Sequence, residues 1–430
     1  MNSGFGLSAT ARAALLARLS RRRDDAPPTE GPRGFRELPG QREMALMRDA
    51  AASLELENPF FRAHEGIASA HSVIAGREVI NFGSYNYLGL NGDARVQAAA
   101  KAAIDQYGVS ASASRMVSGE RPLHGALEAA LAAHYQAQAA LVFVSGHATN
   151  VTVIGHMLGP RDLIVHDAAI HNSCTEGARL SGAKRLSFAH NDWRAADAAL
   201  AEARRSARRA LLVIEGHYSM DGDIPDLPRF IEMARRHDAW LMVDEAHALG
   251  VVGARGHGLH EHFGIDPNEV DIWMGTLSKT LSACGGYIAG NASLIEWLRH
   301  SAPGFVYSVG LAPALAAAAL ESLAIMQAEP ERVARLQANA ALFLGQAREA
   351  GFDTGSATAH AIIPVILGSS IAAARYAQLL FARGINVQPI IYPAVAEKAA
   401  RLRFFLSSEH TEADIRATIT ALIAIRADAA

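Results

Sequence analysis

Cysteine is nearly absent from this chain: two residues, Cys174 and Cys284, among 430. Two thiols so far apart in sequence exclude a disulfide framework and a cysteine-built metal site. No metal is expected, and a reducing, cytoplasmic compartment is. Neither sign of charge is in excess: 40 Lys+Arg against 43 Asp+Glu leave a net charge of −3. That balance removes the basic bias of a nucleic-acid binder. No apolar run approaches the ~20 residues of a membrane-spanning helix, so no span is expected. The Ala/Leu/Arg-rich stretch 10–23 lacks the apolar region of a secretory signal. Being acid-free, it is compatible with a mitochondrial-type presequence, but a helical extension is the plainer reading. Residues 24–40, with Pro27, Pro28, Pro32 and Pro39, read as a linker. What the chain does have is apolar bulk. Half of its residues are hydrophobic, enough for a large core and two domains.

There is no internal repeat. Between 80 and 290 the chain alternates helical patterns with short, continuously apolar runs. The runs 139–144, 163–165, 210–214, 239–243 and 270–274 predict strands, and their lack of polar alternation predicts burial on both faces. Helices are predicted over 123–136, 193–208 and 227–236. The βαβ rhythm implies an α/β fold with a mostly parallel central sheet. After Pro313 the pattern changes to α+β: helices over 314–326 and 330–350, a strand at 361–367, a helix at 371–383, extended pieces at 385–391 and 402–406, and a last helix from 411. The expected organisation is an N-terminal extension and linker (1–40), a segment of the small domain (41–80), a large domain (81–313) and a smaller C-terminal domain (314–430).

Lys279 lies in Gly275-Thr276-Leu277-Ser278-Lys279-Thr280, just beyond a predicted core strand; Asp244, 35 positions earlier, ends another. Residues at the carboxyl ends of such strands face a common crevice. A lysine there can hold an aldehyde as a Schiff base, provided partial burial helps it shed its proton. An aspartate can pair with a protonated ring nitrogen, although a lone Asp in this context is more often a helix N-cap. His247, three residues on, is within reach of a ring hydroxyl; alone it would pass for a surface histidine. Small residues around Lys279 leave room for a planar group, and Thr276 and Ser278 offer hydroxyls to a phosphate. Gly-x-x-x-x-Gly-Lys-Ser/Thr is missing, which argues against a P-loop. Ser145-Gly146-His147 opens a helix after a strand, where free N–H groups form an anion site or merely an ordinary turn. His171 is a candidate to stack on an aromatic ring. Glu215 to Asp223 is an unusually polar loop at a strand end.

Taken together these segments resemble the α-oxoamine synthases, a family of pyridoxal-phosphate (PLP) enzymes of fold type I. The resemblance runs from about residue 80 to 420. It rests on Asn86-Tyr87-Leu88-Gly89-Leu90, Ser114-Arg115-x-x-Ser118-Gly119, Ser145-Gly146-His147, the His171 segment and His190-Asn191-Asp192. It continues with Glu215-Gly216 to Asp223, Val243-Asp244-Glu245-Ala246-His247, Thr276-x-x-Lys279 and Arg401-Leu402-Arg403. The resemblance implies that Lys279 forms the Schiff base and later moves the substrate's α-proton. Asp244 would pair with the pyridine nitrogen, His247 with the ring oxygen, and His171 would stack on the ring. Gly146, His147 and Thr276 would hold the phosphate, Ser219 would lie beside the ring, and Asn86 and Arg403 would hold the amino-acid carboxylate. The implied reaction is a decarboxylative Claisen condensation of a small amino acid with an acyl thioester, giving an α-amino ketone, CO2 and free thiol. A homodimer with the site at its interface is implied as well.

Three departures from the family pattern stand out: Ser308-Val309-Gly310 where many members have a second hydroxyl, Tyr392-Pro393-Ala394-Val395-Ala396, and Ser110-Ala111-Ser112-Ala113. Ser308 alone would then serve the neighbouring subunit's phosphate. Ser110 to Ala113, Ser145 to Asn150 and Tyr307-Ser308-Val309-Gly310 look closest to a subgroup met beside polyketide-type acyl-carrier modules, so an acyl carrier protein is as plausible a donor as coenzyme A. The alternatives are a PLP-dependent aldolase or lyase on the same fold, or a non-catalytic partner of an active homologue. Retention of Lys279 argues against the last.

Overall fold

The structure, a computed structural model, describes residues 34–35 and 38–428; the predicted extension at 10–23 lies outside them. Thirteen strands are found among the described residues: β1 (His71–Ile74), β2 (Arg77–Asn81), β3 (Ala139–Phe143), β4 (Leu163–Asp167), β5 (Lys184–Phe188), β6 (Ala210–Glu215), β7 (Trp240–Asp244), β8 (Ile272–Thr276), β9 (Gly286–Gly290), β10 (Ile362–Ile366), β11 (Ile385–Asn386), β12 (Gln388–Ile390) and β13 (Arg401–Phe405). The central sheet has seven strands in the order β3-β9-β8-β7-β6-β4-β5. All are parallel except β9, which runs antiparallel to both β3 and β8.

Why these runs read as continuous is visible in β6. Ala210, Leu212 and Ile214 enter the main hydrophobic cluster, whereas Leu211 and Val213 enter a second cluster on the opposite face. Helices cover both faces, so every position of the strand is buried. The sequence reading missed β1 and β2 and, within the central sheet, two more strands for opposite reasons. β5 (Lys-Arg-Leu-Ser-Phe) is an edge strand whose exposed basic residues hide its pattern. β9 (Gly-Tyr-Ile-Ala-Gly) is fully buried but flanked by glycine. Gly286 is required there, since a Cβ would lie 2.7 Å from the Gly146 Cα.

The predicted helix at 193–208 ends earlier, at Ala203, and continues as one 3-10 turn. The extended stretch at 385–391 divides. β11 lies parallel to β2, and β12 pairs with β13, which also pairs with β10. The helix Pro313–Ala328 packs against the helices Ala94–Tyr107 and Pro122–His134. β13 carries Arg403 toward the carboxyl ends of β6, β7 and β8, where its guanidinium meets the loop after β6.

Candidate active site

The parallel register places Glu215 directly beside Asp244, the last residues of β6 and β7. Both side chains are buried, at 3% and 4% exposure. Asp244 Oδ2 accepts from Asn150 Nδ2 at 2.7 Å, and Oδ1 from the Ala246 N–H at 3.0 Å. Lys279 follows β8 in the turn that leads to β9. Among the described residues no hydrogen bond or ion pair reaches its amine; only the Tyr85 ring approaches, 5.6 Å from Nζ to the centroid. Burial depresses the amine to about 8, against the upward pull of Asp244 and Glu215. An unpaired, desolvated amine of this kind is a nucleophile toward a carbonyl at neutral pH.

His247 is buried and hydrogen-bonded through Nδ1 to the Tyr87 hydroxyl at 2.7 Å. Burial, then the charge on Lys279, holds its pKa well below the usual value, so it is neutral. His171 sits at the mouth, its Nδ1 2.7 Å from Ser173 Oγ, with the His147 ring 6.3 Å away. Gly146 and His147 begin the helix Gly146–Met157, whose cap Ser145 accepts from the Ala148 N–H at 3.3 Å. The N–H groups of Gly146 and His147 find no acceptor among the described residues. The helix start abuts the end of β8 so closely that a Cβ on Gly146 would lie 2.6 Å from Thr276 Oγ1. Thr276 Oγ1 is in turn 2.7 Å from Ser278 Oγ. Free amides at a helix N-terminus with two hydroxyls beside them make an anion cradle.

Arg403 Nη1 donates to the Ser219 carbonyl at 3.0 Å, and the guanidinium lies 4.7 Å from the Phe405 ring centroid. Among the described residues its Nε is buried without a partner, as is Nδ2 of Asn86. Two orphaned donors of this kind are expensive unless a ligand acceptor meets them. Burial also lowers the Arg403 pKa.

The aminotransferase class I and II family model matches residues 77–422. An 8-amino-7-oxononanoate synthase from Fervidobacterium nodosum is 40% identical over 375 residues, covering 86% of this chain and 94% of that protein. A serine palmitoyltransferase from Bacteroides thetaiotaomicron is 37% identical over 388 residues, covering 88% and 98%. A solved structure of SPT with a PLP internal aldimine superposes with a TM-score of 0.88 at 30% identity, covering 92% and 99%. The chain belongs to the α-oxoamine synthases, PLP-dependent acyltransferases within that wider family.

Within one chain Lys279, Asp244, His171, His147, His247 and Arg403 lie within electrostatic reach of one another, Ser219 joins them through Arg403, and Thr276 abuts Gly146. Asn86 adjoins them through Tyr87, the partner of His247. Ser308 stands apart. Its N–H donates to Phe305 O at 3.3 Å, and it makes no hydrogen bond to the Lys279 cluster. The sequence reading assigned no role to Glu215, Asn150, Tyr85 or Tyr87. Glu215 was detectable, as an acid ending a core strand. Asn150 was not, because only the fold brings it to Asp244.

Proposed function

We propose that the protein condenses a small amino acid with an acyl thioester, releasing CO2 and free thiol and yielding an α-amino ketone. The single observation that carries this reading is the unpaired, desolvated amine of Lys279, facing Asp244 across the strand ends and set between an anion cradle and the orphaned donors of Arg403 and Asn86. Those features fit PLP: the cradle suits a phosphate, the buried Asp244 a protonated ring nitrogen, and neutral His247 a hydrogen bond to a ring oxygen. When bound, PLP supplies an electron sink for the carbanion formed at the amino acid's α-carbon. Gly146, His147 and Thr276 would hold the phosphate, His171 and Ser219 would flank the ring, and Lys279 would hold the aldehyde carbon.

The protein's own groups do the remaining work. Arg403 and Asn86 would bind the substrate carboxylate and so fix the orientation of the α-carbon. Lys279 would take the proton from the α-carbon and, once the bond to the carboxylate has broken with loss of CO2, would return a proton to that carbon. Asp244, held by Asn150, stays in place as the charge partner of the ring nitrogen. The thioester carbonyl gains the new carbon–carbon bond and its thiolate leaves with a proton. We place this chemistry in the cytoplasm and in a homodimer whose second chain brings Ser308 to the phosphate. An acyl carrier protein is the proposed donor.

The test is a screen of amino acids and thioesters with purified, PLP-loaded protein, following free thiol and amino ketone. Amino ketone should form faster from acyl-carrier than from acyl-CoA donors; equal or inverted rates remove the carrier assignment. Cleavage of a β-hydroxy amino acid without thioester, and no thiol release with it, would replace condensation by a lyase reaction.

A further inference from the structure

Glu215 is a buried acid for which the proposed reaction has no use. Its position is nonetheless unusual. One carboxyl oxygen, Oε1, accepts the backbone N–H of His171 at 2.6 Å; the other, Oε2, accepts the backbone N–H of Ser219 at 3.4 Å. His171 follows β4 and Ser219 follows β6, so the two residues come from different loops. Ser219 also presents its carbonyl to Arg403. A single side chain therefore ties together the His171 side of the cleft, the Ser219 side, and through Ser219 the carboxylate-binding arginine. No Arg or Lys forms an ion pair with it among the described residues. The groups that face it are Asp244 on β7, Lys279 after β8, Cys174 on the helix after His171, and Tyr218 in its own loop.

We propose that Glu215 is a positioning residue of the synthase, bracing His171 and the Ser219–Arg403 pair on the two sides of the cofactor cleft through one carboxyl group. This rests on the PLP reading above. The chemistry of the pair with Asp244 supports it. Two buried carboxyls on adjacent strand ends cannot both ionise cheaply. Asp244 already has two N–H donors aimed at it; burial and then the charge of Asp244 push Glu215 up to about 8. Glu215 thus joins the two loops as an uncharged acid at neutral pH. Above that pH a second negative charge appears within reach of Lys279.

Glu215→Gln and Glu215→Asp test this. Gln keeps the length but turns one acceptor into a donor facing an N–H; Asp keeps the acid but falls one methylene short of spanning both amides. Each should lower kcat about tenfold, the effect of losing one buried hydrogen bond in the reacting complex. KM for the amino acid should rise through Arg403, and KM for the thioester should not change. Glu215→Gln should also shift the pH titration of the cofactor absorbance band to lower pH, because no second anion then forms beside Lys279; a purely structural defect would not move it. Both variants should keep the wild-type unfolding temperature within a few degrees. Wild-type kcat, KM and band titration in folded Glu215→Gln would overturn the proposal, as would full activity in Glu215→Asp. If wild-type protein shows no cofactor band, the PLP reading itself fails and this inference falls with it; a normal wild-type band with unaffected variants defeats the brace alone.

Discussion

Two acid–base triads lie at the carboxyl edge of the same sheet, and they differ in how completely they are paired. Around Asp223, His190 is hydrogen-bonded to Asp167 Oδ1 at 3.0 Å through Nδ1 and to Asp223 Oδ2 at 3.1 Å through Nε2. Burial works against its charge, yet those two bonds push it up to about 10, and Asp223 is held below the usual carboxylate range. Asn191 and Ser356 complete the shell of Asp223. At the cleft, Asp244, Glu215 and Lys279 have the same composition, two acids and a base. There, among the described residues, the base makes no direct bond and Glu215 carries a proton at neutral pH. Saturated pairing yields a clamp on the loop that carries Ser219; withheld pairing yields a reactive amine.

The largest effect should come from Lys279→Ala, which removes the unpaired base. Product formation should fall by at least about a thousandfold, as for other nucleophile deletions, and the cofactor absorbance band should vanish with the fold intact by circular dichroism. Next comes Arg403→Lys, which replaces a planar fork by a point charge. KM for the amino acid should rise about ten- to a hundredfold, corresponding to about 1.5–3 kcal/mol for a charged hydrogen bond, with the thioester KM unaltered.

At the paired triad the outcome should be different in kind. His190→Gln leaves Asp167 and Asp223 without their shared cation. Breaking such a pair costs about 3–5 kcal/mol when fully buried. With His190 about a quarter exposed, about 1–3 kcal/mol is expected, read as a lower denaturant midpoint, with kcat within a few-fold of wild type. If His190→Gln abolished activity without loss of stability, the contrast between clamp and reactive site would not hold.

The pH responses should separate the two regions as well. Capture of PLP by the cofactor-free protein requires the neutral amine, so its rate should rise through a midpoint near 8, where Lys279 titrates, and not near the ordinary lysine value. Global stability follows other groups. His134 and His360 are depressed to about 3, and His217, His260 and His410 to about 4, in each case chiefly by burial. Such histidines are neutral when folded and gain protons on unfolding, so their contribution is complete above about 6.5 and is lost as pH falls toward 4. Glu215 and Glu245, raised to about 8 by burial, act oppositely and destabilise as pH rises from about 4.5 to 8. Five histidines against two acids predict a net loss of stability between pH 6.5 and 5, measurable by denaturant titration.

Much of this was legible in the sequence. Asp244, Lys279 and His247 are sequence-local to strand ends, and an apolar run followed by a polar turn marks them without any structure. Arg403 was legible only through family resemblance, because its role depends on β13 reaching the cleft from the C-terminal part. The Glu215 brace and the Asn150–Asp244 bond were not legible. Both are pairings between residues 44 and 94 positions apart, fixed by parallel register and helix packing that no local pattern encodes. Ser308 makes no hydrogen bond to the Lys279 cluster among the described residues; the proposed homodimer is what would give it a role.

The most direct test is to incubate PLP-loaded protein with the best amino acid of the screen and an acyl thioester, and to quantify free thiol against amino ketone in wild type and Lys279→Ala. The two products should appear in equal amounts in wild type and be absent in the variant. Thiol release that persists in Lys279→Ala, or that occurs without amino ketone, would contradict a carbon–carbon condensation centred on Lys279.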